Sequence, residues 1–416
     1  MIKKLLQNGI VRGSLILLVT INIYFALNYF FHFAMARMLP VAEYGILVTL
    51  YAILYILGVF TESIQLVVSR YSTKEKDLGK IKNLVKKSIK KSVTFALYLF
   101  LIYLIIAIFL SNLLNIEYAL LGVTGLMIFT SFMLPIGRGV LQGKKRFKTL
   151  GFNMIIESSM KFVFAILLVL AGWLIYGAII ATILGVSISL LASFVSIRGV
   201  LSSKEKKAST SGIYGYTTPV FVVILTVILF FSLDVIMARI FFPADVAGYY
   251  AIASTLSKII YFGTLPISKA MFPLATESNE KRGPDNVLLT SSSILSFCIF
   301  VSLSVIYLIP GLLIRIFSGR YIPMIEPILI FPAIAISLIS FTNLILLYKL
   351  SKGAIKNYYI LFIFIIIQII LLSYFNDTLM EFSVALVTSA AIFLWGSLFL
   401  FNKKPNHESY NTKESK

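Results

Sequence analysis

The chain has 416 residues, of which 59% are hydrophobic and only 13% are charged, whereas soluble domains are about a quarter charged. Apolar runs longer than about 18 residues recur along the whole chain and predict a membrane protein with many spans. The net charge of +20 would suggest nucleic acid as the partner of a soluble protein. Here basic cytoplasmic loops explain it, so no nucleic-acid partner is expected.

The beginning of the chain is interpreted as a first span rather than as a signal peptide. Its apolar run from Ser14 to Ala36 is longer than the apolar region of a signal peptide, which has about 7–15 residues. The only cysteine is Cys298, which excludes a disulfide framework and a cysteine metal site.

Twelve apolar stretches are long enough to cross a hydrocarbon core of about 30 Å. They predict an all-α membrane protein with twelve transmembrane helices. The predicted spans are Ser14–Ala36, Tyr44–Val68, Val93–Leu114, Tyr118–Leu141, Leu150–Gly172, Leu174–Ile197, Tyr216–Ile240, Gly248–Phe272, Val287–Ile309, Pro327–Tyr348, Tyr358–Phe375 and Met380–Phe401.

The loops between these spans carry their positive charge on one side, which predicts cytoplasmic termini and the cell membrane as the location. The predicted outer side has only Arg37, Arg239, Arg315 and Arg320. The predicted cytoplasmic side carries Lys3, Lys4, Arg12, a cluster from Arg70 to Lys91, Lys144, Lys145, Arg146, Lys148, Arg198, Lys204, Lys206, Lys207, Lys281, Arg282, Lys349, Lys352, Lys356, Lys403 and Lys404.

A motif near the start of the chain recurs half a chain later. Residues 35–45 and 237–249 both begin Met-Ala-Arg and continue with a proline, an acidic residue and a glycine. The recurrence predicts two parallel six-helix repeats related by an axis along the membrane normal. The predicted organisation is an N-terminal six-helix bundle at 1–200, a cytoplasmic linker at 201–212, a C-terminal bundle at 213–402 and a cytoplasmic tail at 403–416.

The segment Lys74–Lys91 combines lysines with apolar residues at helical spacing and predicts a basic interfacial helix. Two roles stay open for it. It either rests on anionic lipid and sets the topology, or it attracts the anionic headgroup of a substrate.

Ionisable residues inside a span cost roughly 2.5–3.5 kcal/mol each on insertion scales, so each one needs a reason. The predicted spans contain Glu62, Glu157, Lys161, Asp234 and Lys258. Arg138 and Lys269 lie near the cytoplasmic ends of their spans. These residues are the candidates for chemistry.

Lys161 and Lys258 are the first candidates for substrate binding, because each lies about 15 Å into its span at 1.5 Å per residue. Transporters built from repeats bind their cargo near this depth. Lys258 shares a helical face with five polar residues, which predicts that this face is turned away from lipid. The stripe is Ser254, Ser257, Lys258, Tyr261, Thr264 and Ser268.

Several of these residues have two interpretations. Lys161 either lines the substrate path or forms an i, i+4 ion pair with Glu157. Asp234 either couples transport to a proton or sodium ion or forms a structural salt bridge. Glu62 either pairs with Arg70 or faces a cavity.

Three residues near the predicted outer side are also open to interpretation. His32 is interpreted as a polar packing residue. Arg37 and Arg239 are interpreted as interfacial anchors, with phosphate contact at the outer exit as the alternative.

The sequence shows no Walker motif, no Ser-His-Asp arrangement and no metal-ligand cluster. It therefore predicts no cofactor, no metal and no enzymatic activity.

The chain resembles the oligosaccharide flippases in the polysaccharide-transporter branch of the multidrug/oligosaccharidyl-lipid/polysaccharide exporter superfamily. The residues that carry the resemblance are Ala36-Arg37 with Glu43-Tyr44-Gly45, the run 141–147 leading to Asn153, Asp234-Val235-Ile236, the run 248–253, Phe272-Pro273 and the run 314–321.

The resemblance implies two bundles that flank a central cavity and a lipid-linked saccharide as cargo, typically a polyprenyl-pyrophosphate oligosaccharide. Membrane lipids and a polysaccharide polymerase or glycosyltransferase are the other implied partners. The substrate-binding residues that we assign within this frame are Lys161, Lys258, Arg138, Lys269 and Tyr261. The candidates for coupling to a proton or sodium ion are Asp234, Glu157 and Glu62. No extra spans of the kind common in peptidoglycan-precursor flippases are predicted.

Two other functions are weighed against this one. A cation-coupled antiporter for drugs or metabolites, from the same superfamily, would need an acidic cavity, and the span residues lean towards positive charge. A membrane enzyme or assembly factor would need a soluble domain or a reactive cluster, and the sequence shows neither.

Overall fold

The computed structural model describes residues 9–208, 217–277, 285–352 and 358–399, and the regular structure in these ranges is helical. The all-α class is thereby confirmed. The helices are α1 Gly9–Met38, α2 Val41–Lys74, α3 Leu78–Leu114, α4 Tyr118–Gly125, α5 Met127–Gly143, α6 Phe147–Leu168, α7 Leu174–Ser196, α8 Arg198–Leu201, α9 Thr217–Phe241, α10 Ala244–Glu277, α11 Asp285–Leu308, α12 Pro310–Ser318, α13 Ile330–Ser351, α14 Leu361–Tyr374 and α15 Leu379–Phe399.

In the described part of the chain, each of the twelve predicted spans is largely helical. Among the described residues, nine helical stretches are long and apolar enough to cross a membrane, and one of them, Phe147–Ser196, contains two predicted spans. The apolar helix Tyr358–Tyr374 is shorter, and α10, which carries the polar stripe, is not one of the nine. Seven basic residues named above lie outside the described residues: Lys3, Lys4, Lys281, Arg282, Lys356, Lys403 and Lys404.

Helices α6 and α7 form a hairpin at the predicted boundary between the fifth and sixth spans. A π-helical turn, Val169–Trp173, follows α6, and the chain reverses where Gly172 and Leu174 have φ of 88° and 43°. A Cβ added to Gly185 would lie 2.8 Å from the backbone nitrogen of Lys161. The glycine therefore allows the two helices to approach closely beside a candidate residue.

The chain divides into two compact units. Unit 1 comprises residues 1–221, 232–256 and 311–326, and unit 2 comprises residues 222–231, 257–310 and 327–416. Unit 1 has an apolar core formed around Val68, Ile81, Val140 and Leu150. The division of the two repeats at residues 201–212 stays a prediction.

Unit 2 contains a cluster of aromatic rings. Phe230 stacks on Phe393 with ring centroids 4.9 Å apart, and Phe364 lies 5.2 Å from the same ring. Gln368 is fully buried and donates from Nε2 to the backbone oxygen of Phe230 over 3.0 Å.

The two copies of the recurring motif meet within unit 1. A Cβ added to Gly45 would lie 2.8 Å from the Cα of Gly248, and a Cβ on Gly248 would lie 2.3 Å from the backbone oxygen of Val41. Small residues allow helix backbones to approach this closely in membrane proteins. Helices α2 and α10 therefore touch at equivalent positions of the repeat.

A segment of the predicted linker, Ser203–Ala208, lies along the first turns of α3, and we call it the strap. Glu205 accepts hydrogen bonds from Asn83 (2.7 Å) and Lys86 (2.6 Å), and Lys206 forms an ion pair with Asp77 at 2.7 Å. The basic helix that the sequence predicts is therefore the beginning of α3, and part of its charge is matched by the strap.

Candidate functional site

Arg138 on α5 is the centre of a buried polar network in unit 1. Its guanidinium donates from Nε to Asn153 Oδ1 over 2.7 Å and from Nη2 to Ser189 Oγ over 3.0 Å. Nη2 also lies 2.5 Å from Glu157 Oε2, which makes an ion pair. The network joins α5, α6 and α7, and Arg138 is only 7% exposed.

Lys161 lies two turns along α6 from Asn153 and is also buried, with 4% exposure. Its ammonium donates to Asn28 Oδ1 on α1. The rings of Phe31 and Tyr51 lie 4.4 Å and 5.3 Å from the ammonium, within the range of cation–π attraction. The charged ammonium of Lys161 is thus stabilised by neutral groups, an amide oxygen and two aromatic rings.

The i, i+4 ion pair between Glu157 and Lys161, one of the two interpretations of Lys161, does not form, and the position of Lys161 in a substrate path stays a prediction. The carboxylate of Glu157 is turned to Arg138 and accepts a hydrogen bond from Tyr24 Oη at 3.2 Å. Within the described residues, no carboxylate oxygen lies within the 4.0 Å ion-pair distance of Lys161 Nζ. The Arg138, Glu157 and Lys161 cluster therefore carries a formal charge of about +1.

In unit 2, Lys258 and Tyr261 lie on α10 and are each 5% exposed. The Lys258 ammonium lies 4.7 Å above the ring of Phe231, and the Tyr261 and Phe231 ring centroids are 5.0 Å apart. The polar stripe on α10 is buried along its whole length, as the sequence predicts. Its members, all at most 5% exposed, are Ser254, Ser257, Lys258, Tyr261, Thr264 and Ser268.

Asp234 belongs to unit 1 and is 2% exposed. Its Oδ2 accepts hydrogen bonds from Ser254 Oγ at 2.5 Å and from Tyr250 Oη at 3.4 Å. The two remaining candidates, Lys269 and Glu62, are exposed in the structure. They are not part of the buried network around Arg138.

Sequence reasoning missed two residues on α1 that contact the network. Tyr24 bonds Glu157, and Asn28 bonds Lys161. A signal for them was present, because Tyr24, Asn28 and His32 follow one another at i, i+4 and i+8 and define a polar face on an apolar helix. His32 itself is buried and packs edge-on against the Tyr51 ring with centroids 4.9 Å apart.

The two arginines of the recurring motif bind main-chain oxygens. Arg37 is exposed and donates from Nε to the oxygen of Ile316 over 3.1 Å. Arg239 is 6% exposed and donates to the oxygens of Leu114 (2.8 Å) and Asn115 (2.9 Å). Arg239 is thus buried within the protein, where its guanidinium donates to carbonyls at the end of α3, and its role as an interfacial anchor stays a prediction.

Within the described ranges, no group of three or more His, Cys, Asp or Glu side chains is placed to hold a metal ion. The polar groups described above are suited to binding an anion or moving a proton. A buried ammonium that is matched by amide and aromatic groups can exchange them for phosphate oxygens.

Comparison with known proteins gives one family and one fold. The family described as polysaccharide biosynthesis protein matches residues 10–279. No curated protein sequence matches the chain significantly.

The chain is similar in structure to the lipid II flippase MurJ in an inward closed conformation, with a TM-score of 0.72, 16% identity and coverage of 94% of this chain and 88% of that one. It is similar to an inward-facing multidrug resistance MATE transporter of the MOP superfamily, with a TM-score of 0.69, 14% identity and coverage of 91% and 94%.

A third similar structure is a MOP superfamily transporter from Pyrococcus furiosus, whose binding pocket is described as having reverse polarity. It has a TM-score of 0.64, 14% identity and coverage of 94% and 95%. At these identities the likeness establishes a shared fold, which is that of a multi-pass membrane protein.

Proposed function

The chain belongs to the family of polysaccharide biosynthesis proteins, and from this membership we propose that it is a flippase for a lipid-linked oligosaccharide. It carries this cargo across the cytoplasmic membrane by alternating access, for the synthesis of a surface polysaccharide. The observation that supports the cargo class is the buried ammonium of Lys161, which is held by neutral groups beside the Arg138–Glu157 pair.

The charge of this cluster favours an anionic headgroup. Sugar and pyrophosphate are too polar to enter the bilayer core, whereas a prenyl chain can stay in lipid. The headgroup therefore needs a protein path that offers hydrogen bonds and positive charge. Lys161 and Lys258 supply it deep in their helices, and Arg138, Lys269 and Tyr261 are proposed to extend it.

The decisive experiment replaces Lys161 by glutamine, which keeps a hydrogen-bond donor and removes the charge. Transport of a fluorescent polyprenyl-pyrophosphate oligosaccharide in proteoliposomes is expected to fall at least about tenfold, because a charge-assisted hydrogen bond to phosphate is lost. Lys148→Gln is the matched control, since Lys148 lies on the same helix and is exposed. Wild-type transport by Lys161→Gln would contradict the assignment.

We propose Asp234 as the coupling residue, because it is a buried carboxylate bonded to hydroxyl groups that can adjust to a proton or a sodium ion. Glu157 and Glu62 are the other candidates. Asp234→Asn is expected to weaken the response of transport to an imposed ion gradient, whereas Asp377→Asn, at an exposed position between α14 and α15, serves as the matched control. An unchanged gradient response in Asp234→Asn would reject coupling at this residue.

A cation-coupled drug or metabolite antiporter is the alternative function. It predicts uptake of organic cations driven by a proton or sodium gradient. The excess positive charge around Lys161 disfavours such cargo. Robust cation uptake with no movement of the glycolipid would replace the flippase proposal.

The same proposal includes both termini in the cytoplasm and a polymerase or glycosyltransferase as a functional partner. A reporter enzyme fused after Lys416 is expected to be active only in the cytoplasm. Activity of that reporter outside the cell would overturn the orientation.

A further inference from the structure

The four basic residues predicted on the outer side go against the positive-inside trend, and three of them bind helix ends. The last carbonyls of a helix have no partner within that helix and lie at its negative end. Arg239, at the end of α9, donates to two such carbonyls, those of Leu114 and Asn115 at the end of α3. Arg37, near the end of α1, donates to the carbonyl of Ile316 in the last turn of α12.

These two contacts follow one rule. In each repeat, the first span ends in Met-Ala-Arg, and the arginine caps a helix that belongs to the other half of the sequence. In the opposite direction, Arg320, which follows α12, donates to the backbone oxygen of Leu39, just after α1, over 3.1 Å. The ends of α1 and α12 are thus joined in both directions, and all of these residues belong to unit 1.

Aromatic packing and a glycine contact lie against the same helix ends. The buried ring of Phe317 on α12 packs against Tyr29, Phe33 and Tyr44, with ring centroids 5.6 to 6.3 Å apart. The Arg37 guanidinium lies 4.5 Å from the ring of Phe33. Beside them, Gly45 and Gly248 bring α2 and α10 into contact.

We infer that Arg37, Arg239 and Arg320 form a latch that closes the predicted outer end of the protein and must open once in each transport cycle. Guanidinium-to-carbonyl bonds suit this task because they are made between side chains and main chain at helix ends. They can break without unfolding either helix. The role in the cycle depends on the proposed transport function, whereas the closure itself does not.

The first test measures closure without any cargo. Thr49 is fully buried and lies one turn from Gly45, to whose carbonyl its hydroxyl donates over 2.9 Å. Thr49→Cys, in a background where Cys298 is replaced by serine, is labelled from outside with a membrane-impermeant maleimide. Arg37→Ala and Arg320→Ala are each expected to raise the labelling rate about three- to tenfold, because each removes a charge-assisted hydrogen bond.

Arg315→Ala is the matched control, since Arg315 is an exposed arginine on α12 that is not part of the latch. It is expected to leave the labelling rate unchanged. The third latch variant is Arg239→Ala. If it is poorly folded, Arg239→Lys replaces it, because lysine keeps the buried charge and removes the two-carbonyl geometry. Unchanged labelling in the three latch variants, or an equal rise in Arg315→Ala, would overturn the latch.

The second test holds the latch shut. Phe33→Cys and Phe317→Cys, at positions whose native ring centroids lie 6.1 Å apart, keep all three latch arginines. In the same background without Cys298, the two cysteines are joined by a short cross-linker that reductant removes. Transport of the lipid-linked oligosaccharide is expected to stop on cross-linking and to return on reduction. Transport at the rate of the unlinked protein would show that these helix ends need not separate. If the parent protein without these substitutions moves no glycolipid, the flippase proposal fails, and the labelling test still decides the closure.

Discussion

The surroundings of Lys161 and Gln368 show how differently the two halves of the chain use one backbone arrangement. Lys161 on α6 reaches residue 28 of α1, and Gln368 on α14 reaches residue 230 of α9. Residues 28 and 230 each lie seven positions before the methionine of Met-Ala-Arg. The two contacts therefore use equivalent positions on the first helix of each repeat.

The chemistry at these equivalent contacts is different. Around Lys161 lie an arginine, a carboxylate and several amide and hydroxyl groups. Gln368 instead donates to the backbone oxygen of Phe230, a residue whose ring stacks on Phe393. Among the described residues, Gln368 Oε1 is buried and has no hydrogen-bond partner. The comparison teaches that duplication preserved the helix contacts while the ionic network is present at only one of the two sites.

The largest expected effect comes from breaking the ionic network. Glu157→Gln leaves Arg138 as a buried cation without its carboxylate partner, and removing one partner of a buried pair costs about 3–5 kcal/mol. We expect a large fall in the thermal unfolding temperature of the purified protein. Arg138→Gln combined with Glu157→Gln should recover much of the loss. An unchanged unfolding temperature in the single variant would show that the network does not stabilise unit 1.

The next effect tests whether the two sites can exchange their chemistry. Gln368→Lys places an ammonium at a fully buried position of an apolar helix, and a charge within a membrane span costs about 2.5–3.5 kcal/mol. We expect poor accumulation in the membrane and a lower unfolding temperature. The reciprocal variant, Lys161→Gln, removes a buried charge and should change the free energy of unfolding by less than about 1 kcal/mol. Equal tolerance of both variants would show that the ionic and aromatic sites are interchangeable.

A smaller effect is expected where the repeats touch. Gly248→Ala directs a Cβ at the backbone oxygen of Val41, 2.3 Å away, and overpacking of this kind costs about 1–3 kcal/mol. Gly263→Ala on the same helix is the control, because nothing lies within 4 Å of its added Cβ. We expect a lower unfolding temperature only for Gly248→Ala. A similar change in both variants would point to helix propensity rather than to contact.

The smallest effect concerns the strap, a surface feature of unit 1. The hydrogen bond from Lys206 lowers the pKa of Asp77, and that from Lys86 lowers the pKa of Glu205. Because both pKa values are depressed, these contacts contribute above the ordinary carboxyl pKa values of 3.8 and 4.5 and are lost as the pH falls below them. Asp77→Asn should speed trypsin cleavage after Lys206 by about two- to fivefold at neutral pH and low salt.

High salt should reduce the difference between Asp77→Asn and the parent, since exposed ion pairs are screened. Lys90→Gln is the matched control, because Lys90 is exposed on the same helix and takes no part in the strap contacts given above. Cleavage of Asp77→Asn at the parental rate would show that the ion pair does not hold the strap in place.

Much of the fold could be predicted from the sequence because the apolar runs are long and their ends are distinct. The break between the fifth and sixth spans was placed at Gly172 and Leu174, where the chain reverses. The inward orientation of the α10 stripe followed from helical spacing alone. The grouping of residues 232–256 and 311–326 with the first half was not predictable, because it arises from packing between helices distant in sequence.

The charged residues of the candidate site could be predicted from the sequence, but the residues that they contact could not. Lys161, Arg138 and Glu157 were identified because each is an ionisable residue in an apolar run. Whether Glu157 pairs with Lys161 on its own helix or with Arg138 on α5 depends on tertiary geometry, which spacing along the sequence does not reveal. Gln368 gave no signal, since one neutral amide in an apolar helix is unremarkable.

The contact between Gly45 and Gly248 has a consequence for how this protein can change over generations. Each glycine occupies the place that the other occupies in its own copy of the motif, so the space available to one is limited by the backbone of the other. A side chain gained at either position would require the opposite copy to move or shrink. Substitutions at Gly45 and Gly248 are therefore expected to depend on each other, even though the ionic and aromatic sites of the two copies have diverged.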